Sequence, residues 1–195
     1  MNKALTQNLQ THPWFRLNPR WQSRADRIRT IDPANQLSTA FSMVLLSDGS
    51  TTQNLRLLTG EPVHIDLISM TPQRRGLDGA PRFLSAIPAP RLRRQVWLRT
   101  QSGRRLAYAV SWWPEGRSDE FLEKRNIPIW SSLSARRIEL YREIKTVLLG
   151  DCEELERAFS TPGPFWGRYY FFWHGGQPLT LIHEVFHPML DGEIS

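Results

Sequence analysis

The alternation of apolar and polar residues along this chain predicts an α+β fold, a mostly antiparallel sheet of about six strands with helices packed on it. Three observations carry that reading. In FWGRYYFFWHGGQPLTLIHEVF, 165–186, two runs rich in aromatic and β-branched residues flank Gly175 and Gly176, a pair that adopts the positive φ of a two-residue turn at no steric cost. A second pair of alternating runs, 93–100 and 106–113, flanks Gly103 and predicts a second hairpin. Helical spacing is confined to short segments outside the hairpins, so helices and strands segregate.

The elements follow in order. Residues 1–31 are polar and basic, with Pro13, Pro19 and the isolated aromatics Trp14, Phe15 and Trp21. They predict an irregular arm with room for a short helix, laid over the body by its tryptophans, leaving 32–195 as a single domain. Asp32 before Pro33 reads as an N-cap and first helical position, and Leu37, Phe41, Val44 and Leu45 continue at helical spacing until Gly49. Ser50 caps a second, shorter helix through Leu58. Backbone N–H groups without intrahelical partners therefore gather at SDGSTT, 47–52, which suits a helix-turn-helix corner as well as a ligand site.

Val63, Ile65 and Leu67 alternate with polar residues in a strand, and 71–91, rich in proline with Arg74, Arg75 and Arg82, predicts a long surface loop. In the strand that follows, Arg94 shares a face with Val96 and Leu98 and so points inward. Beyond Pro114 a charged stretch predicts one or two helical turns, and Pro128 makes 127–133 a turn or short helix. The run 137–148 predicts a strand with Ile138, Leu140 and Ile144 inward. Asp151 caps a helix to Phe159 whose first turn holds Glu153 and Glu154, where the macrodipole favours negative charge.

At 195 residues the chain can bury one sizeable core, and 25 Lys and Arg against 19 Asp and Glu give +6, a balance that favours an anionic partner. No recognised nucleic-acid-binding motif accompanies the arginines, so a nucleic-acid partner is not expected. Cys152 is the only cysteine. An intramolecular disulfide and a cysteine-based zinc cluster are thereby excluded within one chain, and a reducing compartment is the natural setting. No apolar run approaches the ~20 residues of a membrane-spanning helix, and the N-terminus lacks the apolar core of a secretory signal. The expectation is a cytoplasmic monomer without stable membrane insertion.

The chemistry concentrates in the last predicted strand. Glu184 shares a face with Ile182 and Phe186, while His183, Val185 and His187 point the other way. A carboxylate on an apolar face is costly unless it is paired or used. His183-Glu184-Val185-Phe186-His187 is also a literal H-E-x-x-H, the spacing of two zinc ligands one helical turn apart with a glutamate base. That motif requires a helix, whereas this segment alternates as a strand and stops at Pro188, so surface histidines and no metal are expected. Arg94 and Glu184 form the stronger constellation. They are equally compatible with a buried structural ion pair and with the two ends of a ligand pocket. Arg168, in the simplest register of the Gly-Gly turn, falls on the face opposite Glu184 and takes a supporting place.

FWGR, the hairpin and PLTLIHEVFHP together resemble the C-terminal hairpin of chorismate pyruvate-lyases. The resemblance extends back through Tyr141-Arg142-Glu143-Ile144, Pro128-Ile129, the strand ending at Pro114, Arg94-Gln95-Val96 and Asp48 to Thr52. It covers roughly 32–188, with 71–91 only loosely matched. The order and spacing of these short motifs make it specific. It implies helical flaps closing over a buried, cofactor-free pocket, and a carbon-oxygen lyase converting chorismate to 4-hydroxybenzoate and pyruvate on the way to a quinone head group such as that of ubiquinone or plastoquinone. By position, Arg94 matches the arginine that binds the ring carboxylate, aided by the backbone N–H of Ile129. Glu184 and the backbone N–H of Thr51 match the groups at the hydroxyl end. Ile129 and Thr51 depart in side chain from that pattern, a change expected to alter packing more than chemistry. The alternative is a non-catalytic small-ligand (effector) binding module of the related fold found in transcription regulators.

Overall fold

The computed structural model of the chain describes residues 13–28, 37–73, 79–121 and 140–192. Seven strands form one antiparallel sheet: β1 Asn18–Arg24, β2 Val63–Pro72, β3 Arg91–Thr100, β4 Arg105–Pro114, β5 Tyr141–Asp151, β6 Phe165–His174 and β7 Gln177–Phe186, in the spatial order β1-β5-β6-β7-β4-β3-β2. The helices are α1 Ala25–Ile28, α2 Thr39–Leu46, α3 Thr51–Thr59, α4 Glu115–Phe121 and α5 Glu153–Phe159, with 3-10 turns at Arg82–Ala86 and Pro188–Gly192. Both hairpins lie where the sequence places them. Gly175 and Gly176 have φ of 56° and 74°, the paired positive values of a tight hairpin turn.

The seventh strand corrects the reading of the N-terminal arm. Instead of lying irregularly over the body, Asn18–Arg24 pairs antiparallel with β5 and closes that edge of the sheet. Its polar sequence carries no core pattern because its exposed side chains make it an edge strand, and edges are tolerated when charged. Arg20 reaches Asp151 at 2.5 Å, so Asp151 ends β5 as an ion-pair partner and Cys152, not Asp151, stands at the N-cap of α5. The boundary expected at 31/32 and the helix start at Asp32–Pro33 lie outside the described residues. The helix bearing Phe41, Val44 and Leu45 begins at Thr39, where the Ser38 hydroxyl accepts from the Phe41 N–H.

Both faces of the sheet are covered. On one face α2, α3 and the last 3-10 turn pack Phe41, Val44, Leu45, Leu55 and Leu190 against Val96, Leu98, Ala107 and Phe186. The other face buries Trp14, Leu17, Leu84, Ile87, Leu155 and Phe159 against Trp97, Tyr108, Trp112, Phe171, Leu181 and Val185. The expected surface loop 71–91 therefore contributes core residues, since Leu84 and Ile87 are buried. Arg74 and Arg75 lie outside the described residues.

Candidate functional site

The site is built on the face that carries α2 and α3. Alternation on neighbouring strands aligns Arg94 opposite Ser111, and Glu184 opposite Ala109 on one side and Arg168 on the other. Arg94 and Glu184 thus project from one face, with Cα positions roughly 12 Å apart by strand spacing and rise. Together with Thr51, Thr52, Val96, Leu98, Ser111, Arg142, Tyr170, Phe172 and Ile182 they line a cavity of about 50 Å³. Of the residues expected from sequence, Arg94, Thr51 and Glu184 meet there, and Arg168 lies directly behind Glu184. Ile129 lies outside the described residues.

Arg168 is on the same face as Glu184, not the opposite one. The hairpin register changes between Phe172 and Trp173, where Leu179 is an extra residue on β7 beside Pro178, which has no N–H to give the ladder. One inserted residue moves Arg168 from the level of His183 to that of Glu184. The buried ion pair left open by the sequence is accordingly Arg168–Glu184, with Nη2 to Oε2 at 2.8 Å and Nε to Oε2 at 2.9 Å.

Every donor of Arg168 is used. Nη1 donates to the Leu45 and Ser47 carbonyls at 3.2 and 3.0 Å, and Nη2 also donates to Thr51 Oγ1 at 2.9 Å. The guanidinium thereby satisfies carbonyls left free at the C-terminal end of α2, where positive charge is favoured, while Glu184 faces the first turn of α3, where negative charge is favoured. Thr51 Oγ1 donates to Glu184 at 3.0 Å and Tyr170 Oη donates to it at 2.9 Å. The threonine side chain is thus part of the charge network, so its departure from the family pattern changes the chemistry of this end as well as its packing.

Burial raises the Glu184 carboxyl, but Arg168, Arg142 and the hydrogen bonds outweigh it and hold the group below its ordinary value. Glu184 is an ionised acceptor. Desolvation, followed by the charge of Glu184, pushes the Tyr170 phenol up, so Tyr170 stays protonated as a donor. Burial lowers Arg94 to about 10, which leaves it cationic at neutral pH. Arg142 is also lowered, mainly by desolvation. Its guanidinium carbon sits 4.4 Å from the Tyr170 ring centroid and 4.9 Å from that of Phe172.

Tyr170 and Arg142 were not singled out from sequence, although the signals were there. Tyr170 is two residues from Arg168, and Arg142 lies between the inward Leu140 and Ile144, so alternation alone puts each on the site face. The histidines depart from expectation in the other direction. His183 is fully buried, with its ring stacked on Tyr169 at 4.2 Å and its Nδ1 3.1 Å from the Arg168 carbonyl. The H-E-x-x-H segment is β-strand, which spaces His183 and His187 roughly 13 Å apart along the chain, too far to share one metal.

The matching family model, described as chorismate pyruvate-lyase Rv2949c-like, covers residues 45–192, which include the cavity residues named above. The chain belongs to the Rv2949c-like chorismate pyruvate-lyase family. Among its relatives are uncharacterized ycf21 proteins of Cyanophora paradoxa, 34% identical over 77% of this chain and 78% of that one, and of Pyropia yezoensis, 32% identical over 77% and 82%. In three dimensions this family member resembles PhnF from Mycobacterium smegmatis, with TM-score 0.55 and 14% identity over 73% of this chain and 65% of that one. The effector domain of PhnF gives TM-score 0.54 and 14% identity over 72% and 89%. At that identity the likeness is one of fold. No helix among the described residues is long and apolar enough to cross a membrane.

Proposed function

We propose that the chain is a cofactor-independent lyase that splits chorismate into 4-hydroxybenzoate and pyruvate. The observation that best supports this is the lining of the buried cavity: the guanidinium groups of Arg94 and Arg142 stand in its wall with Glu184, which is already paired with Arg168, beside the apolar Val96, Leu98, Phe172 and Ile182. Two buried guanidinium groups in one wall suit a ligand that brings carboxylates to them. Chorismate is a small dianion with an apolar ring, and it matches that lining.

In this reading Arg94 receives the ring carboxylate through its planar fork, with the Ile129 N–H beside it. Glu184 accepts from the ring hydroxyl, and the Thr51 N–H at the start of α3 meets the same end. The C4–H bond and the C3–O ether bond break, a C3–C4 double bond completes the aromatic ring, and the departing enolpyruvate gains a proton at its methylene carbon to become pyruvate. Atoms and electrons balance without oxidant, reductant or water. Aromatisation provides the driving force, so the protein's work is orientation, exclusion of water and stabilisation of charge on the leaving oxygen. The cavity, at about 50 Å³, is about a third of the ~150 Å³ known to admit benzene, so binding requires its walls to move apart. The product would serve as the head group of a quinone such as ubiquinone or plastoquinone.

Purified protein given chorismate, without added metal or cofactor, is expected to release equimolar 4-hydroxybenzoate and pyruvate, measured by absorbance and mass. The PhnF effector-domain fold favours one alternative, a small-ligand module without turnover. Chorismate binding with no product would select it, and no binding at all would overturn both readings.

A further inference from the structure

Three buried arginines stand on the face of the sheet that carries Glu184, and their surroundings separate their roles. Arg168 has its five donors engaged by Glu184, Thr51 and the Leu45 and Ser47 carbonyls. Arg94, on β3, lies three strands away from β6 and is the group placed at the ring carboxylate in the proposed function. Arg142, on β5, differs from both. It is 5% exposed, and its Nη1 makes two long contacts, 3.4 Å each, to Ser47 O and Thr51 Oγ1. Its Nε is shielded from solvent and has no partner among the described residues.

A buried guanidinium with an unsatisfied donor is costly, and the two rings beneath it compensate only part of the lost hydration. Arg142 lines the cavity, and its Nη1 reaches Thr51, a second residue of the same lining. Asp48 is felt by Arg142 electrostatically but is itself exposed at the rim. The geometry points to Arg142 as a second carboxylate subsite, which makes the cavity selective for ring compounds bearing a carboxylate at each end over those bearing one.

The inference rests on the chorismate reading and adds a residue and a selectivity to it. In chorismate the ether that carries the second carboxylate is on the carbon next to the one bearing the hydroxyl. With the hydroxyl at Glu184 and Thr51, that carboxylate falls beside Thr51, which is where Nη1 of Arg142 already reaches. The two arginines then hold the two carboxylates from opposite sides of the ring, across four strand spacings or roughly 19 Å of sheet. Cleavage turns a dianion into two monoanions, so the aromatic product keeps Arg94 and loses Arg142. Substrate is held more tightly than product, and release follows from the chemistry itself.

An inert probe tests this without turnover. 3-(Carboxymethoxy)-4-hydroxybenzoate carries an ether carboxylate next to the hydroxyl and is already aromatic. By calorimetry the wild-type protein is expected to bind it at least ~10-fold more tightly than 4-hydroxybenzoate, and at least ~10-fold more tightly than its side-chain methyl ester. In Arg142→Gln the advantage over both is expected to disappear, while 4-hydroxybenzoate affinity changes by less than ~3-fold. Equal binding of acid and ester by the wild type, a measurement that needs no variant, overturns the subsite, as does an advantage that survives in Arg142→Gln. Failure of wild type to bind either aromatic acid sinks the chorismate reading itself, and with it the subsite.

Discussion

The two faces of the sheet are built from alternate residues of the same strands, yet the surroundings they give two neighbouring residues of β7 differ in kind. His183 and Glu184 are neighbours in β7, 0% and 4% exposed. His183 faces Trp14 and Tyr169 in a layer rich in aromatic rings, where Tyr108 Oη donates to Gln95 and accepts from the Phe15 N–H, Trp112 Nε1 donates to Gln73 at 3.0 Å, and His183 Nε2 is buried without a partner among the described residues. Glu184 faces Arg168, Arg142, Tyr170 and Thr51. Burial alone therefore does not mark a site. What distinguishes the Glu184 face is a connected network about one ionised carboxylate, made of an ion pair to Arg168 and hydrogen bonds from Thr51 and Tyr170, beside a cavity.

The largest expected effect separates pairing from burial. Arg168→Met leaves the buried Glu184 carboxylate without its paired cation and removes the donor to the Leu45 carbonyl, and is expected to lose about 3–5 kcal/mol in denaturant unfolding. Glu184→Gln is expected to be destabilised for the same reason, by leaving Arg168 poorly compensated. A variant at Arg168 as stable as wild type would mean that the pair is not a structural element of this face.

How much of this was legible in the sequence follows from the periodicity of strands. Alternation fixes which face Arg94 and Glu184 occupy, and the Gly-Gly pair fixes the hairpin, because both are local properties of the chain. Arg168 was misassigned because the face of a residue counted from a turn depends on every residue between them, and Leu179 is one more than the simple register allows. The edge strand β1 was missed because an edge is stabilised by hydrogen bonds to its neighbour, which no side-chain pattern in Asn18–Arg24 reports. His183 was expected at the surface because alternation says that two faces exist, not that both are covered. Its covering residues, Trp14, Leu84 and Ile87, come from segments read as arm and loop.

The two faces should also fail at different pH. Burial lowers His183 to about 4 from 6.5, so below pH 6.5 the unfolded chain takes up a proton that the folded chain refuses, and stability falls until about pH 4. The loss attributable to this group is about 3 kcal/mol. Glu184 behaves as a depressed carboxyl: its contribution is complete above 4.5 and is lost as pH falls from there through its lowered value. His183→Phe keeps a ring against Tyr169 and is expected to flatten the profile between pH 6.5 and 4.5, leaving below that the fall that belongs to Glu184. An unchanged profile in that window would show that His183 is protonated in the folded protein.

The smallest effect on stability is expected where the functional effect is cleanest, at Arg94. Arg168 is held by carbonyls of α2, by Thr51 and by Glu184, and Arg94 enters the cavity from β3 between Ser111 and Met70, where the proposed function gives it the carboxylate of the ligand. Arg94→Lys keeps the charge and much of the apolar stem but replaces a planar fork by a single ammonium, so the lost quantity is the second parallel hydrogen bond to that carboxylate. The variant is expected to unfold within about 1 kcal/mol of wild type and to bind 4-hydroxybenzoate at least ~10-fold more weakly, a difference of about 1.4 kcal/mol. Calorimetric titration and a denaturant curve on the same preparation measure both. If instead the lysine variant loses stability as Arg168→Met does and binds normally when folded, Arg94 belongs with the structural network and not with the ligand.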